Sequence, residues 1–188
     1  SSAAAFTERP TDARAFGMGS AITSLSQYGS GGYWNPASLG YVRTSEVNSM
    51  QSTILGDVHY LNFGYNQLAQ DNQYNIAWAF NFSNVRVDGI QEAKYDNGSA
   101  WQTGNSFDYN GSIYVLSAAY ALDRKLSLGA NLKHINEELF YNNAAGTGLD
   151  IGMLYKLNRT WTLGLVYQNI LAPELAWNTS SGTTEKMP

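Results

Sequence analysis

The sequence predicts an all-β fold, an antiparallel transmembrane β-barrel, and three observations carry that expectation. From about residue 44 onward, apolar and polar side chains alternate with period two. Most of the alternating runs last nine residues or more, the length of a tilted strand crossing a bilayer (about nine to eleven) and not that of a soluble strand (about five or six). Aromatic residues stand beside the short turns and in the apolar phase, as in the girdle of a membrane barrel.

Seven strands follow in order. A weak one covers 45–54, and 58–67 sets His59, Leu61, Phe63 and Tyr65 in one phase. The clearest is Gln73 to Ser83, where Tyr74, Ile76, Trp78, Phe80 and Phe82 alternate with Asn75, Ala77, Ala79 and Asn81. Segment 109–122 aligns Ser112, Tyr114, Leu116, Ala118 and Tyr120. Lys125 to His134 aligns Leu126, Leu128, Ala130 and Leu132, and Leu149 to Leu157 aligns Leu149, Ile151, Met153, Tyr155 and Leu157. The last, 161–171, carries Trp161, Leu163, Leu165 and Tyr167.

The connections alternate in length. Short polar turns are expected at 68–72, 123–125 and 158–160, and longer loops at 87–108, at 142–147 and from 172 onward. Only the link at 54–57 is short where a long one is expected. Outer-membrane barrels have short periplasmic turns and longer external loops. Tyr65, Tyr74, Tyr120, Tyr155 and Trp161 all lie beside the short turns. Asn131, Lys133, Asp150 and Lys156 take the phase opposite the apolar side chains and are expected to face the lumen. A charge on the lipid side at the midplane would cost roughly 2–4 kcal/mol, which requires this sorting. Periodicity alone leaves a soluble sandwich open, because its polar phase would face water instead.

Composition fits a chain with lipid on one side and water on the other. The 188 residues include 15 Asp+Glu and 11 Lys+Arg, a formal net charge of −4, with 14% charged, 44% hydrophobic and 13% aromatic residues. Soluble domains carry about a quarter of charged residues. There is no cysteine, which excludes a disulfide scaffold, thiolate zinc sites and thiol catalysis. Without basic clusters, nucleic acid is not an expected partner. Residues 15–42 carry no charge, but Gly, Ser, Gln, Asn and Pro interrupt them, so no membrane helix is expected. Residues 1–43 do not alternate and form a first unit, with helix-like pieces around Ala13–Met18 and Pro36–Leu39; residues 44–188 form the sheet.

Three motifs carry a family resemblance. Ala13-Arg14-Ala15-Phe16-Gly17-Met18-Gly19, then Tyr33-Trp34-Asn35-Pro36-Ala37-Ser38-Leu39, then Leu55-Gly56-Asp57-Val58-His59-Tyr60 resemble, in that order, the PorV-like branch of the FadL superfamily of bacterial outer-membrane barrels. Gly129-Ala130-Asn131-Leu132-Lys133 and Gly164-Leu165-Val166-Tyr167-Gln168-Asn169 resemble it in style. The resemblance implies a fourteen-stranded barrel in the bacterial outer membrane, with residues 1–43 folded inward as a plug or hatch. Gly17, Gly19, Gly31, Tyr33, Trp34, Asn35, Pro36 and Ala37 would form the hatch signature. PorV-like members serve protein secretion and surface attachment, which implies a secretion-machinery or surface protein as partner. FadL-like members pass hydrophobic small molecules. A plug cannot pair its backbone in a ladder, so side chains such as Asn35 must satisfy it.

No enzyme is expected. Gly29-Ser30-Gly31-Gly32 lacks the nucleophile-elbow pattern, and Gly17-Met18-Gly19 lacks the rest of a dinucleotide fingerprint. His59 and His134 fall near the loop-side ends of their strands, and Glu137-Glu138 is expected to be solvated, with its side chains on opposite faces. No metal or cofactor is implied. Among the loops, 87–108 with Tyr95, Trp101 and Phe107 is the expected partner contact, because loops carry recognition. The competing class is a soluble all-β adhesin or carbohydrate-binding sandwich.

Seven strands are an odd number, whereas bacterial single-chain barrels use even ones. An eight-stranded barrel is just wide enough for its own side chains, so a plug of about 40 residues would not fit it. The chain is therefore expected to be the N-terminal half of a larger barrel.

Overall fold

The computed structural model describes residues 5–8, 13–25, 31–54, 56–68, 76–96, 99–140, 142–170, 174–178 and 184–186. Its strands are β1 (Glu46–Ile54), β2 (Val58–Leu68), β3 (Ile76–Asp96), β4 (Ser99–Ala121), β5 (Leu126–Leu139), β6 (Asn142–Lys156), β7 (Thr162–Tyr167), β8 (Glu174–Trp177) and β9 (Thr184–Lys186). All pair antiparallel in one sheet, each of the first six beside the next. Both β7 and β8 lie along the same edge of β6, the first at its Ile151–Lys156 end and the second at Ala144 and Ala145.

The sheet is open. Among the described residues β1 pairs with β2 alone, and the sheet does not close into a barrel.

Strand alternation sorts side chains into two unlike faces. On the outer face, register rows run straight across the sheet. Tyr65 stands opposite Phe80, Phe80 opposite Leu116, Leu116 opposite Leu132 and Leu132 opposite Leu149. Nearer the short turns, Ile76, Tyr120, Leu128, Met153 and Leu165 form a parallel row. Most of these large apolar side chains are exposed, Leu116 at 53%, Leu132 at 51% and Leu165 at 64%. Along β4 and into the turn after it the band spans Tyr114 to Leu122, the length of one tilted bilayer crossing, about nine residues. Beyond it the same face turns polar, with Asn84, Ser112 and Asn136 in one row and Arg86, Asn110 and Glu138 in the next.

The inner face mixes small and polar residues with a buried apolar cluster, and the N-terminal segment packs on it. Leu39 and Val42 pack on Ala77, Ala79 and Ala119. Tyr33 packs on Ile113, Val115, Ile135 and Ala144.

Several expectations are corrected. Residues 87–96 and 99–108 are not loop: they continue β3 and β4 as a pair whose registers shift between Val87 and Ile90 and between Gln91 and Ala93. Polar side chains stand on both faces there, so no alternation marks the strands. Hydrogen bonds within and across the pair hold them instead, with Gly89 N donating to Asp108 Oδ1 at 3.0 Å and Thr103 Oγ1 to Glu92 Oε2 at 2.6 Å. Residues 142–147 belong to β6, paired with β5 up to Leu139↔Asn142. Past 172, β8 and β9 add short strands. Of the turn expected at 68–72, Leu68 belongs to β2, paired with Ala77, and 69–72 lie outside the described residues, as does Tyr74.

Candidate functional site

The candidate site is the seam between residues 13–25 and 31–43 and the inner face. It starts with a short helix, α1 (Ala13–Gly17), closed by Ser20 N donating to Ala15 O at 2.9 Å. Gly19 then takes φ +59° and Ser20 φ +66°, a left-handed stretch that glycine enters without a Cβ penalty. Gly17 and Gly19 are exposed, and a Cβ on either would meet nothing within 4 Å. Of the signature residues, these two shape the chain path without touching the sheet.

The rest of the signature is buried, Trp34 partly so. A single helical turn, α2 (Gly31–Trp34), leads into a 3-10 helix at Pro36–Tyr41. Asn35 joins them, fully buried, with extended φ −143° and ψ 106°. Its Oδ1 accepts from Ala37 N at 3.0 Å, capping the 3-10 helix, and Pro36 stands at the first helical positions where no N–H is required. Its Nδ2 donates to Thr23 O at 2.9 Å and to Met153 O at 3.2 Å. One amide thus caps its own helix, ties the preceding chain and binds β6.

Sheet residues make room for this turn. Ala77, Ala119, Gly129 and Gly152 stand opposite one another in a single register row, a trough of small residues across four strands. A Cβ on Gly129 would lie 2.5 Å from Pro36 C and 2.6 Å from Ala37 N. On Gly152 it would strike Asn35 Oδ1 and approach Pro36 Cδ to 2.9 Å. A Cβ on Gly164 would reach Thr23 O at 2.6 Å. The backbone of the segment and that of the sheet approach at distances only glycine permits.

The next register row holds the polar contacts. Asn131, opposite Asp150 and fully buried, donates Nδ2 to Gly32 O at 3.1 Å and Tyr33 O at 3.3 Å. Asp150 Oδ1 receives Lys133 Nζ at 2.8 Å and Asn169 N at 3.0 Å, with side-chain exposures of 11% for Lys133 and 1% for Asp150. Mutual neutralisation lets two charges lie under the segment. Tyr33 OH donates to Thr7 O at 2.7 Å, and burial beside Asp150 pushes its phenol well above the ordinary tyrosine range. Trp34 packs edge-on against Tyr33 with centroids 5.5 Å apart. Lys156 lies 3.5 Å from the centre of the Tyr41 ring, a cation–π contact at the turn end of the sheet.

The structure therefore brings together Gly31, Tyr33, Trp34, Asn35, Pro36 and Ala37 with Asn131, Lys133 and Asp150, and leaves Gly17 and Gly19 apart. Lys156 joins at the 3-10 helix end. The hairpin residues stand elsewhere: Trp101 is 53% exposed and pairs with Lys94, and Phe107 is half-buried, edge-on to Phe140 at 5.5 Å. Tyr95 pairs with Ala100, and its side-chain surroundings lie outside the described residues. Glu137 corrects the expectation of a solvated pair: it is 6% exposed and accepts from Tyr109 OH at 3.0 Å, while Glu138 is exposed. Sequence reading missed Gly129, Gly152 and Gly164 as contact positions. Their signal was glycine recurring in the polar phase of adjacent strands.

Among the described residues no group of three or more His, Asp or Glu is placed to hold a metal ion, and no helix is long and apolar enough to cross a membrane. Comparison with protein-family models, curated protein sequences and solved structures finds no match.

Proposed function

We propose that this chain is part of a bacterial outer-membrane β-barrel whose N-terminal segment lies in the lumen as a plug, and that the barrel acts as a conduit or docking platform in protein secretion and surface attachment. One observation carries the membrane reading: a contiguous band of large apolar side chains is exposed on one face, while the other face, of small, polar and a few apolar residues, is covered. A soluble sandwich has the opposite arrangement. Withdrawing a Leu, Ile or Phe side chain from water gains about 1.5–3 kcal/mol, so a contiguous band of them requires an apolar environment. Lipid supplies it. The polar rows beyond Tyr114 then lie at the headgroup level, and the edge of β1, unpaired among the described residues, calls for further strands to complete a barrel, since an open edge is not stable in hydrocarbon.

The docking role follows the PorV-like motifs, and one feature supports it. Past Val58↔Val87 and Tyr109↔Leu139, the β3–β4 hairpin has no strand beside it among the described residues, and it carries Trp101 into solvent. The test is to refold the chain into phosphatidylcholine vesicles and float them, then repeat with Trp101→Ser. Co-flotation resistant to carbonate wash supports membrane insertion, and stable solubility without detergent sinks it. For docking, wild type pulls down a secretion or surface protein from envelope extracts of the source bacterium and the variant does not. Equal capture by both removes the hairpin from the reading.

A further inference from the structure

Two adjoining clefts open on the outer face just beyond the apolar band, and nothing in the barrel reading uses them. The first, about 600 Å³, is floored by Asn84, Arg86 and Asn110 and walled by Asp108, Glu138 and the Phe107–Phe140 pair. The second, about 450 Å³, shares Asn110 and Glu138 and adds Ser112, Asn136 and Asn143. The two hollows form one polar trench crossing β3 to β6.

The chemistry of the trench selects its ligand class. Side-chain amides dominate it, and each amide offers both donors and an acceptor, as a hydroxyl does. Asn84 Nδ2 already shows the pattern, donating to Asn110 Oδ1 at 2.7 Å and Ser112 Oγ at 2.9 Å. The one cation, Arg86, is held by Asp88 at 2.5 Å and Asp108 at 3.6 Å, and the latter also lines the trench. With Glu138 nearby, carboxylates outnumber the guanidinium, so a phosphate or carboxylate ligand would be repelled. Planar polar side chains beside an aromatic edge suit a neutral ring bearing several hydroxyls.

We propose that this trench binds the uncharged saccharide head of a glycolipid. Position decides between a lipid-borne and a free sugar. The row Asn84–Ser112–Asn136 directly succeeds Phe82–Tyr114–His134 on the same face. A sugar in the trench would thus have its lipid tail running down the apolar band, with no turn in between. This step rests on the membrane reading above.

The test uses the whole chain in phosphatidylcholine nanodiscs, with and without a diglucosyl glycolipid at several mole per cent, read by hydrogen exchange. The proposal expects at least a five-fold slowing of exchange at 84–86, 108–112 and 136–145 with the glycolipid, and none with added anionic phosphatidylglycerol. A double variant, Asn110→Leu with Asn136→Leu, should still enter nanodiscs but lose that slowing. Unchanged exchange in protein that has entered nanodiscs overturns the proposal while leaving the membrane reading intact. Failure to enter nanodiscs overturns both. Equal protection by free maltose in detergent overturns the glycolipid assignment, and protection by phosphatidylglycerol overturns the neutral-sugar assignment.

Discussion

Asn35 donates its side-chain amide to the main-chain carbonyl of Met153, 118 residues further along the chain, at 3.2 Å. The same side chain caps the 3-10 helix through Ala37 N and holds Thr23 O. The Trp-Asn-Pro-Ala motif is therefore a clamp: the Asn side chain replaces the ladder that an irregular segment lacks, and Pro36 supplies a fixed φ.

Removing that clamp has a defined cost. Asn35→Ala loses a cap and the two amide bonds to Thr23 O and Met153 O, about 2–4 kcal/mol together. Asn35→Asp keeps the cap acceptor but turns a carboxylate toward two carbonyl oxygens, and should destabilise at least as much. Urea unfolding of the chain in detergent, followed by tryptophan fluorescence, measures both.

The glycine trough gives a steric prediction. Gly129→Ala forces a methyl into the backbone of Pro36 and Ala37, and Gly152→Ala into Asn35 and Pro36. Overpacking of this kind costs typically ~1–3 kcal/mol. Gly56→Ala is a control for turn strain, because its φ of +86° is unfavourable for alanine although a Cβ there meets nothing within 4 Å. Limited proteolysis should release residues 1–43 from the trough variants faster than from the control, while protease resistance of the sheet is retained.

The buried pair Lys133–Asp150 predicts non-additivity. Lys133→Met alone strands a carboxylate that is 1% exposed, a loss of about 3–5 kcal/mol. Adding Asp150→Asn should recover part of that loss, since the amide still accepts from Asn169 N and carries no charge. A double-mutant cycle in urea reads the coupling.

The β4–β5 turn gives a pH prediction. Asp123 accepts from Lys125 N at 2.5 Å and Leu126 N at 2.7 Å, and these bonds hold its carboxyl below the ordinary aspartate range. Because the folded value is depressed, its stabilisation is present above the unfolded pKa and is lost as pH falls through the folded one. Hydrogen exchange at Lys125 and Leu126, corrected for intrinsic pH dependence, should accelerate as the solution is acidified through and below the carboxylate range. Asp123→Asn should show no such step.

Period two made the strands and their faces legible, because a half-buried strand has to alternate and a slip of one residue would invert every face. Asn131, Lys133 and Asp150 were readable as inner-face residues for that reason. The outer part of the β3–β4 hairpin was not, because polar side chains on both faces at 88–94 and 101–108 remove the alternating signal. Glu137 was misjudged for a related cause: its partner Tyr109 sits in the adjacent strand, 28 residues away, and no local pattern records a cross-strand bond. The trough escaped notice because a glycine contact depends on which strands are neighbours, not on the sequence around it.

The central claim is that the outer face meets lipid. The chain has no cysteine, so single cysteines can be placed at residues 112 to 121 of β4 and spin-labelled in phosphatidylcholine vesicles. The account predicts that labels at Tyr114, Leu116, Ala118 and Tyr120 collide with dissolved oxygen and are shielded from a water-soluble nickel chelate, with a period of two. It also predicts that a label at Ser112 regains contact with the chelate. Equal chelate access at Leu116 and Ser112, in protein bound to vesicles, would contradict it.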